Sequence, residues 1–328
     1  MLYRRAKRLG ITCIVLAVAF RLLSAGFFHP FFTLFGQIGT PFLMYWETGQ
    51  SIQPKPQAPT DAPTAPRETQ PDTAPTQPQS QLPAFEKDEL SGISVTYHAA
   101  LSPSLENLLT QPLAWDLTGS APTVLIIHTH TTETYTGSHI PYDGAYRTLD
   151  KRYNMVSVGK ELKQALQQRG IYALHDTNIY DYPDYDSAYA AARYSIEEYL
   201  RRYPTIQMVL DLHRDASDTP TGQLTTSAIA GGQKTAQLMM VVGTDAGGLY
   251  HPNWQENLAL ALKLTALLER SDPGISRPID LRTQRFNMDL TPGSLLVEVG
   301  AAGDTPEEAR IAVHALAQAI AELSRGSS

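Results

Sequence analysis

From about residue 90 to the C-terminus, short apolar runs alternate with segments of helical spacing, and this alternation constrains the fold more than any other feature. Residues 93–97 alternate like a strand, and 123–127 form a short continuous apolar run suited to a buried strand. Residues 155–169 carry Val158, Leu162 and Leu166 at helical spacing, with Gly170 placed to stop the helix. A strand is predicted at 171–174, a helix at 187–203 ended by Pro204, and a buried strand at 206–212. Residues 235–242 read as a further strand, 253–270 as a long amphipathic helix and 295–299 as a last strand. Thr305, Pro306 and Glu308 then supply a cap, a first-turn proline and a capping-box glutamate for a helix running to about residue 323. Strands alternating with helices predict an α/β domain with a mostly parallel sheet flanked by helices. No internal repeat is present.

The chain before this region has a different character. Arg4, Arg5, Lys7 and Arg8 precede an apolar run over residues 9–28, interrupted by Arg21. The run is about long enough to span a bilayer, and the basic cluster predicts a cytoplasmic N-terminus. A cleaved signal peptide is the competing reading, with Leu23-Ser24-Ala25 as its cleavage site. The expected layout is a cytoplasmic tail and transmembrane anchor over 1–28 and an apolar juxtamembrane segment over 29–52. A linker rich in Pro, Gln and Thr over 53–89 and a catalytic domain over 90–328 would follow. The linker has few large apolar side chains and cannot offset its chain entropy by burial, so it is expected to be a disordered, extended spacer.

Among 328 residues with a formal net charge of -7, a basic footprint for nucleic acid is missing, which excludes that partner class. The single cysteine, Cys13, lies in the apolar run, so the globular part holds no disulfide, thiolate ligand or cysteine nucleophile. Any metal there must be held by His, Asp or Glu. No Gly-x-Ser-x-Gly elbow, Walker loop or dinucleotide glycine pattern occurs.

Three predicted strands run into polar clusters, where sites in open α/β sheets collect. They are His128-Thr129-His130-Thr131-Thr132-Glu133, then Asp211-Leu212-His213-Arg214-Asp215, then Glu298 within Leu296-Val297-Glu298-Val299-Gly300. A hydrolytic zinc takes three protein ligands and leaves a fourth position for water, which it acidifies. His130 and Glu133, three residues apart, can converge on one ion, and His213 can supply the third ligand. Glu298 is then placed to act as general base, since a lone carboxylate in a buried strand costs several kcal/mol unless paired or functional. Bland readings stand beside these. Glu133 can be a loop or capping carboxylate. His128 can support the ligands or simply pack. Asp211 and Asp215 can orient imidazoles. Arg214 can clamp a substrate carboxylate or pair with Asp215. His175 and Asp176 can be structural or line the cleft. His314 reads as surface or packing, His139 is undecided, Asn253 reads as a helix cap, and Trp254 can stack on a sugar or pack.

With these residues in view, the chain resembles the stage II sporulation protein P family, peptidoglycan hydrolases related to zinc-dependent N-acetylmuramoyl-L-alanine amidases. The resemblance spans about residues 90–323. It rests on the segment from His128 to Tyr135, on Asn154 to Gly159, and on His175-Asp176-Thr177. It continues through Asp211 to Ala216, His251-Pro252-Asn253-Trp254 with Asn257, and Leu295 to Gly300. It implies an amidase-like fold, with His130 and His213 as zinc ligands and Glu298 as catalytic glutamate. Glu133 is kept as the third ligand over Asn154, because asparagine is a poor ligand for zinc. Asn257 and Asn287 are implied near substrate, Asn287 within a Phe286-Asn287-Met288 stretch where the family pattern expects Tyr-Asn-Gln.

The resemblance further implies amidase cleavage between N-acetylmuramic acid and L-alanine, together with endopeptidase cleavage of cross-links, in septal wall during engulfment. It implies a mother-cell membrane location and the stage II sporulation proteins D and M as partners. A metallo-carboxypeptidase or endopeptidase on wall peptides, and a catalytically inactive wall-binding scaffold, are the alternatives.

Overall fold

In a computed structural model of the chain, residues 84–113, 115–137, 142–220 and 222–325 are described. Their principal elements are β1 (Val95–Tyr97), α1 (Leu105–Thr110), β2 (Val124–Ile127), α2 (Met155–Gln168), β3 (Ala173–His175), α3 (Ala188–Arg202), β4 (Met208–Asp215) and two short hairpins, β5 (Asp218–Thr219) with β6 (Gly222–Gln223) and β7 (Ala228–Ala230) with β8 (Gln233–Thr235). β9 (Leu238–Gly243), α4 (Trp254–Ser271), β10 (Ile279–Arg282), β11 (Ser294–Ala301) and α5 (Pro306–Arg325) complete the order. The residues expected to form the anchor, the juxtamembrane segment and nearly all of the linker, together with His139, lie outside the described residues. Among the described residues no helix is long and apolar enough to cross a membrane.

Seven strands form one sheet in the order β1-β10-β9-β11-β4-β2-β3. Neighbours pair in parallel except β11 with β9, which are antiparallel. The sheet is thus two parallel blocks, of four and three strands, joined back to front at one seam. The mostly parallel α/β expectation holds, and the reversal at β9 is an addition to it.

The strands are apolar on both sides because both faces are covered. Val124, Ile126, Leu210, Leu212, Leu295 and Val297 point to a large core built with α1, α2, α4 and α5. On the other face, Leu125, Ile127 and Val209 pack on Ala192 and Ile196 of α3. Beside them Met239, Val241 and Leu296 pack on Met288. This second face carries a single helix and one short 3-10 turn (Met288–Leu290).

Helix ends follow their sequence signals. Gly170 is left-handed just after α2, and Thr305 and Glu308 exchange reciprocal capping hydrogen bonds at α5. Trp254 packs against the main core. Asn253 precedes α4 but caps nothing with its side chain, donating instead to the Asp289 carbonyl.

Several expectations need correction. The strand predicted over 206–212 runs on to Asp215, and the one predicted over 295–299 extends to Ala301. His213 therefore sits within a strand rather than beyond its end, while Glu298 lies inside β11 as expected. The run 235–242 is split between β8 and β9. β10 carried no prediction.

Candidate metal centre

Alternation along β4 sends Asp211, His213 and Asp215 to the face covered by α3, with Val209. In the parallel register of β4 and β11, Glu298 pairs with His213. His130 and Glu133 arrive from the segment after β2. That segment is fastened by its threonines: Thr129 donates from its backbone and hydroxyl to Asp211, and Thr132 does the same to Asp181. The Thr131 hydroxyl reaches the carbonyls of His128 and Asn178, and the Thr134 hydroxyl that of Tyr153.

His130, Glu133 and His213 converge, with one donor atom from each lying within 4.8 Å of the others. Glu133 Oε1 is 3.4 Å from His130 Nδ1, and Oε2 is 3.5 Å from His213 Nδ1. Ligands at about 2.0–2.1 Å around a tetrahedral ion stand about 3.4 Å apart, so this donor set fits zinc. Asp211 Oδ1 lies 3.0 Å from His213 Nε2, an arrangement that leaves Nδ1 facing the centre. Burial disfavours the charged Glu133, yet His130, His213 and Arg214 together hold its carboxyl well below the usual range. Burial likewise opposes a charged His213, but Asp211 and Glu133 outweigh it and hold the imidazole well above its ordinary value. A divalent cation at this point would replace that proton.

Glu298 is half-buried, and its Oε2 is enclosed without a hydrogen-bond partner. Burial pushes its carboxyl up to about 8; His213 pulls downward, while Glu133 and Asp215 add to the rise.

The remaining predicted residues take diverse places. His128 is fully buried on the opposite face, with Nδ1 3.1 Å from the Leu212 carbonyl and Nε2 2.8 Å from His175 Nε2. If Nδ1–H serves Leu212, His175 must donate to His128. Burial, with His175 next, lowers the His128 pKa to about 3. The backbone of Gly159 on α2 passes directly over both rings. Asn154 caps α2 by accepting from Val156 N.

Arg214 does not pair with Asp215; its Nη1 lies 3.7 Å from Glu133 Oε1 instead. Its guanidinium points away from the α3 face and donates to the carbonyls of Thr134 and Tyr146, while its backbone N–H donates to Glu133 Oε2. Asp215 pairs with Arg277 at 2.8 Å. Asn257 accepts from Ser294 N and donates to the Met288 carbonyl. Asn287, left-handed at φ 59°, donates to the Tyr189 carbonyl. His314 sits 3.9 Å from Glu161 on the surface side of α5.

Sequence reasoning missed the aromatic wall. Tyr185 stacks on His130 with centroids 4.4 Å apart, and its hydroxyl is 3.3 Å from His130 Nδ1. Tyr189 meets His130 edge-on at 5.4 Å and lies parallel to His213 at 6.4 Å. The available signal was the density of tyrosines at 180, 182, 185 and 189, the last two one helical turn apart.

The sequence profile described as Stage II sporulation protein P matches residues 45–321. A relative of that same description from Bacillus subtilis (strain 168) is 28% identical over 217 residues, covering 63% of this chain and 52% of the relative. The chain thus spans about half the length of that curated relative. Among solved structures, the N-acetylmuramoyl-L-alanine amidase AmiC2 of Nostoc punctiforme is similar with 16% identity and a TM-score of 0.37, covering 63% of this chain and 97% of that one. The amidase Ami1 of Mycobacterium smegmatis is similar with 13% identity and a TM-score of 0.38, covering 64% and 99%.

Proposed function

Because the chain belongs to the Stage II sporulation protein P family, and because a His-Glu-His donor set stands beside a half-buried glutamate whose Oε2 is enclosed and unpartnered, we propose that it is a zinc-dependent peptidoglycan hydrolase. It cuts the amide between N-acetylmuramic acid and L-alanine. The observation that carries this reading is the spacing of His130, Glu133 and His213 together with the enclosed Oε2 of Glu298, the cross-strand neighbour of His213.

His130, Glu133 and His213 would hold the ion. When bound, zinc supplies Lewis acidity, polarising the scissile carbonyl and acidifying water. Asp211 keeps the His213 ring in one orientation, and the threonine fastenings keep His130 and Glu133 where the fold puts them. Glu298 takes the proton of the attacking water at its free oxygen and returns it to the departing alanine nitrogen. Its burial suits that task, since a base whose pKa lies near working pH can both accept and release a proton. Tyr185 and Tyr189 wall the centre on one side and limit access of bulk water.

The test is metal content together with product analysis, using the purified full chain on isolated cell wall. An amidase exposes N-terminal alanine on released stems and leaves peptide-free glycan. Stems that remain on muramic acid while cross-links open would replace the amidase reading with an endopeptidase one, and release of nothing would leave a wall-binding scaffold. Action on septal wall during engulfment, anchorage in the mother-cell membrane and partnership with the stage II sporulation proteins D and M belong to the same proposal. Fluorescent fusions and co-purification from sporulating cells test them.

A further inference from the structure

We propose that Arg147 binds a carboxylate of the substrate peptide one residue beyond the amide that is cut, with Tyr185 as the platform that holds the guanidinium in place. The inference rests on the reading of the site as an amide hydrolase.

Arg147 belongs to the centre by its backbone: it forms an isolated antiparallel bridge with Glu133. Its guanidinium carbon lies 3.9 Å from the Tyr185 ring centroid, and that ring is the one stacked on His130. The positive charge is therefore one aromatic ring away from a candidate metal ligand. It is also unspent. Arg193, Arg277 and Arg285, arginines of similar burial, pair with Asp289, Asp215 and Asp289 respectively. Arg147 forms no ion pair among the described residues, and its Nε is buried with no hydrogen-bond partner. The two nearest acids in sequence are already engaged: the Asp150 carboxylate pairs with Arg152, and that of Asp143 accepts from the backbone N–H groups of Ala145 and Arg147.

A guanidinium with an enclosed, unsatisfied Nε–H is costly unless an acceptor arrives. Its planar fork matches a carboxylate in two parallel hydrogen bonds, and stacking on an aromatic face holds the fork flat. The proposed substrate offers such a group close to the reacting bond. In a stem joined to muramic acid through alanine, the next residue is a γ-linked glutamate whose α-carboxyl is either free or amidated. Arg147 would select the free form.

The test compares muramoyl-alanyl-γ-glutamate with the same compound carrying an α-amide, using the zinc-loaded full chain. Binding is measured by calorimetry in the Glu298→Gln background, where turnover is blocked, and kcat/KM is measured with Glu298 intact. The free carboxylate should bind about tenfold more tightly than the amide, a loss of one charge-assisted contact. Arg147→Met should abolish that preference while leaving the amide's affinity and the zinc content unchanged, and Arg147→Lys should restore part of it. Equal affinity for both compounds in the wild-type pocket overturns the proposal, as does an Arg147→Met variant that weakens both equally. Discrimination in binding without cleavage of either compound would support the carboxylate site and sink the hydrolase reading. Cleavage without discrimination would do the reverse.

Discussion

Glu298 of β11 and His213 of β4 are direct partners across the parallel register, so a candidate base and a candidate ligand are held by adjacent main chains rather than by loops. Replacing Glu298 with Gln keeps shape and hydrogen-bonding capacity but removes proton transfer. The variant should retain full zinc content and lose about 10²–10⁴-fold in turnover of isolated wall. Near-normal turnover would remove Glu298 from the mechanism.

Asp211 should matter to the metal without touching it. Asp211→Asn loses the charge beside His213 Nε2 but can still accept from Thr129. A drop of about 10–100-fold in zinc affinity is expected, measured by competition with a chelating dye. His130→Ala and His213→Ala should abolish stoichiometric binding in the same assay.

Gly159 is a packing requirement. A Cβ there would be driven into both His128 and His175. Gly159→Ala should destabilise the domain by about 1–3 kcal/mol, seen as a lowered Tm. Adding His175→Ala should recover part of the loss, since it opens room on one side.

Lys263 supplies a pH-dependent stability. It is nearly fully buried in α4, donates to the Leu109 carbonyl and lies 4.5 Å from the Phe85 ring centroid. Burial pushes its ammonium down to about 8, only partly countered by Glu89. The unfolded chain, with an ordinary lysine near 10.4, binds more protons above pH 8, so stability from this group rises between about pH 8 and 10. Below pH 8 both states are charged and the full penalty applies. The unfolding free energy of the wild type minus that of Lys263→Met should climb across that window by about 2–3 kcal/mol. A flat difference would show that Lys263 stays charged.

The four long helices were legible because their signals are local: the spacing of Val158, Leu162 and Leu166 with Gly170 behind them marks α2, and Thr305 with Glu308 opens α5. The strand ends were not. His213, Arg214 and Asp215 read as the start of a loop because strand reading relies on apolar character, yet their backbone pairs with β11 whatever the side chains are. β10 reads Ile-Asp-Leu-Arg after Pro278, too short and too charged to stand out. The seam between β9 and β11 depends on contacts far apart in sequence, which no local pattern records. His130, Glu133 and His213 could be picked out by residue type alone. The nearness of Tyr185 and Arg147 could not, because a tyrosine in a loop and an arginine after a turn are ordinary surface residues until a sheet brings them together.

Chelation should leave the far-UV spectrum of the protein unchanged, and zinc should restore activity without a refolding step. Loss of helical signal on adding chelator would contradict this, since it would mean that the ion holds the domain together.

The four hydroxyls of Thr129, Thr131, Thr132 and Thr134 moor one short stretch of chain to separate parts of the domain. A stretch moored in this way has its contour before any ion arrives. On the zinc-dependent reading, losing the ion would disarm the molecule without dismantling it, and a cell could store such molecules idle and bring them into service by metal supply alone.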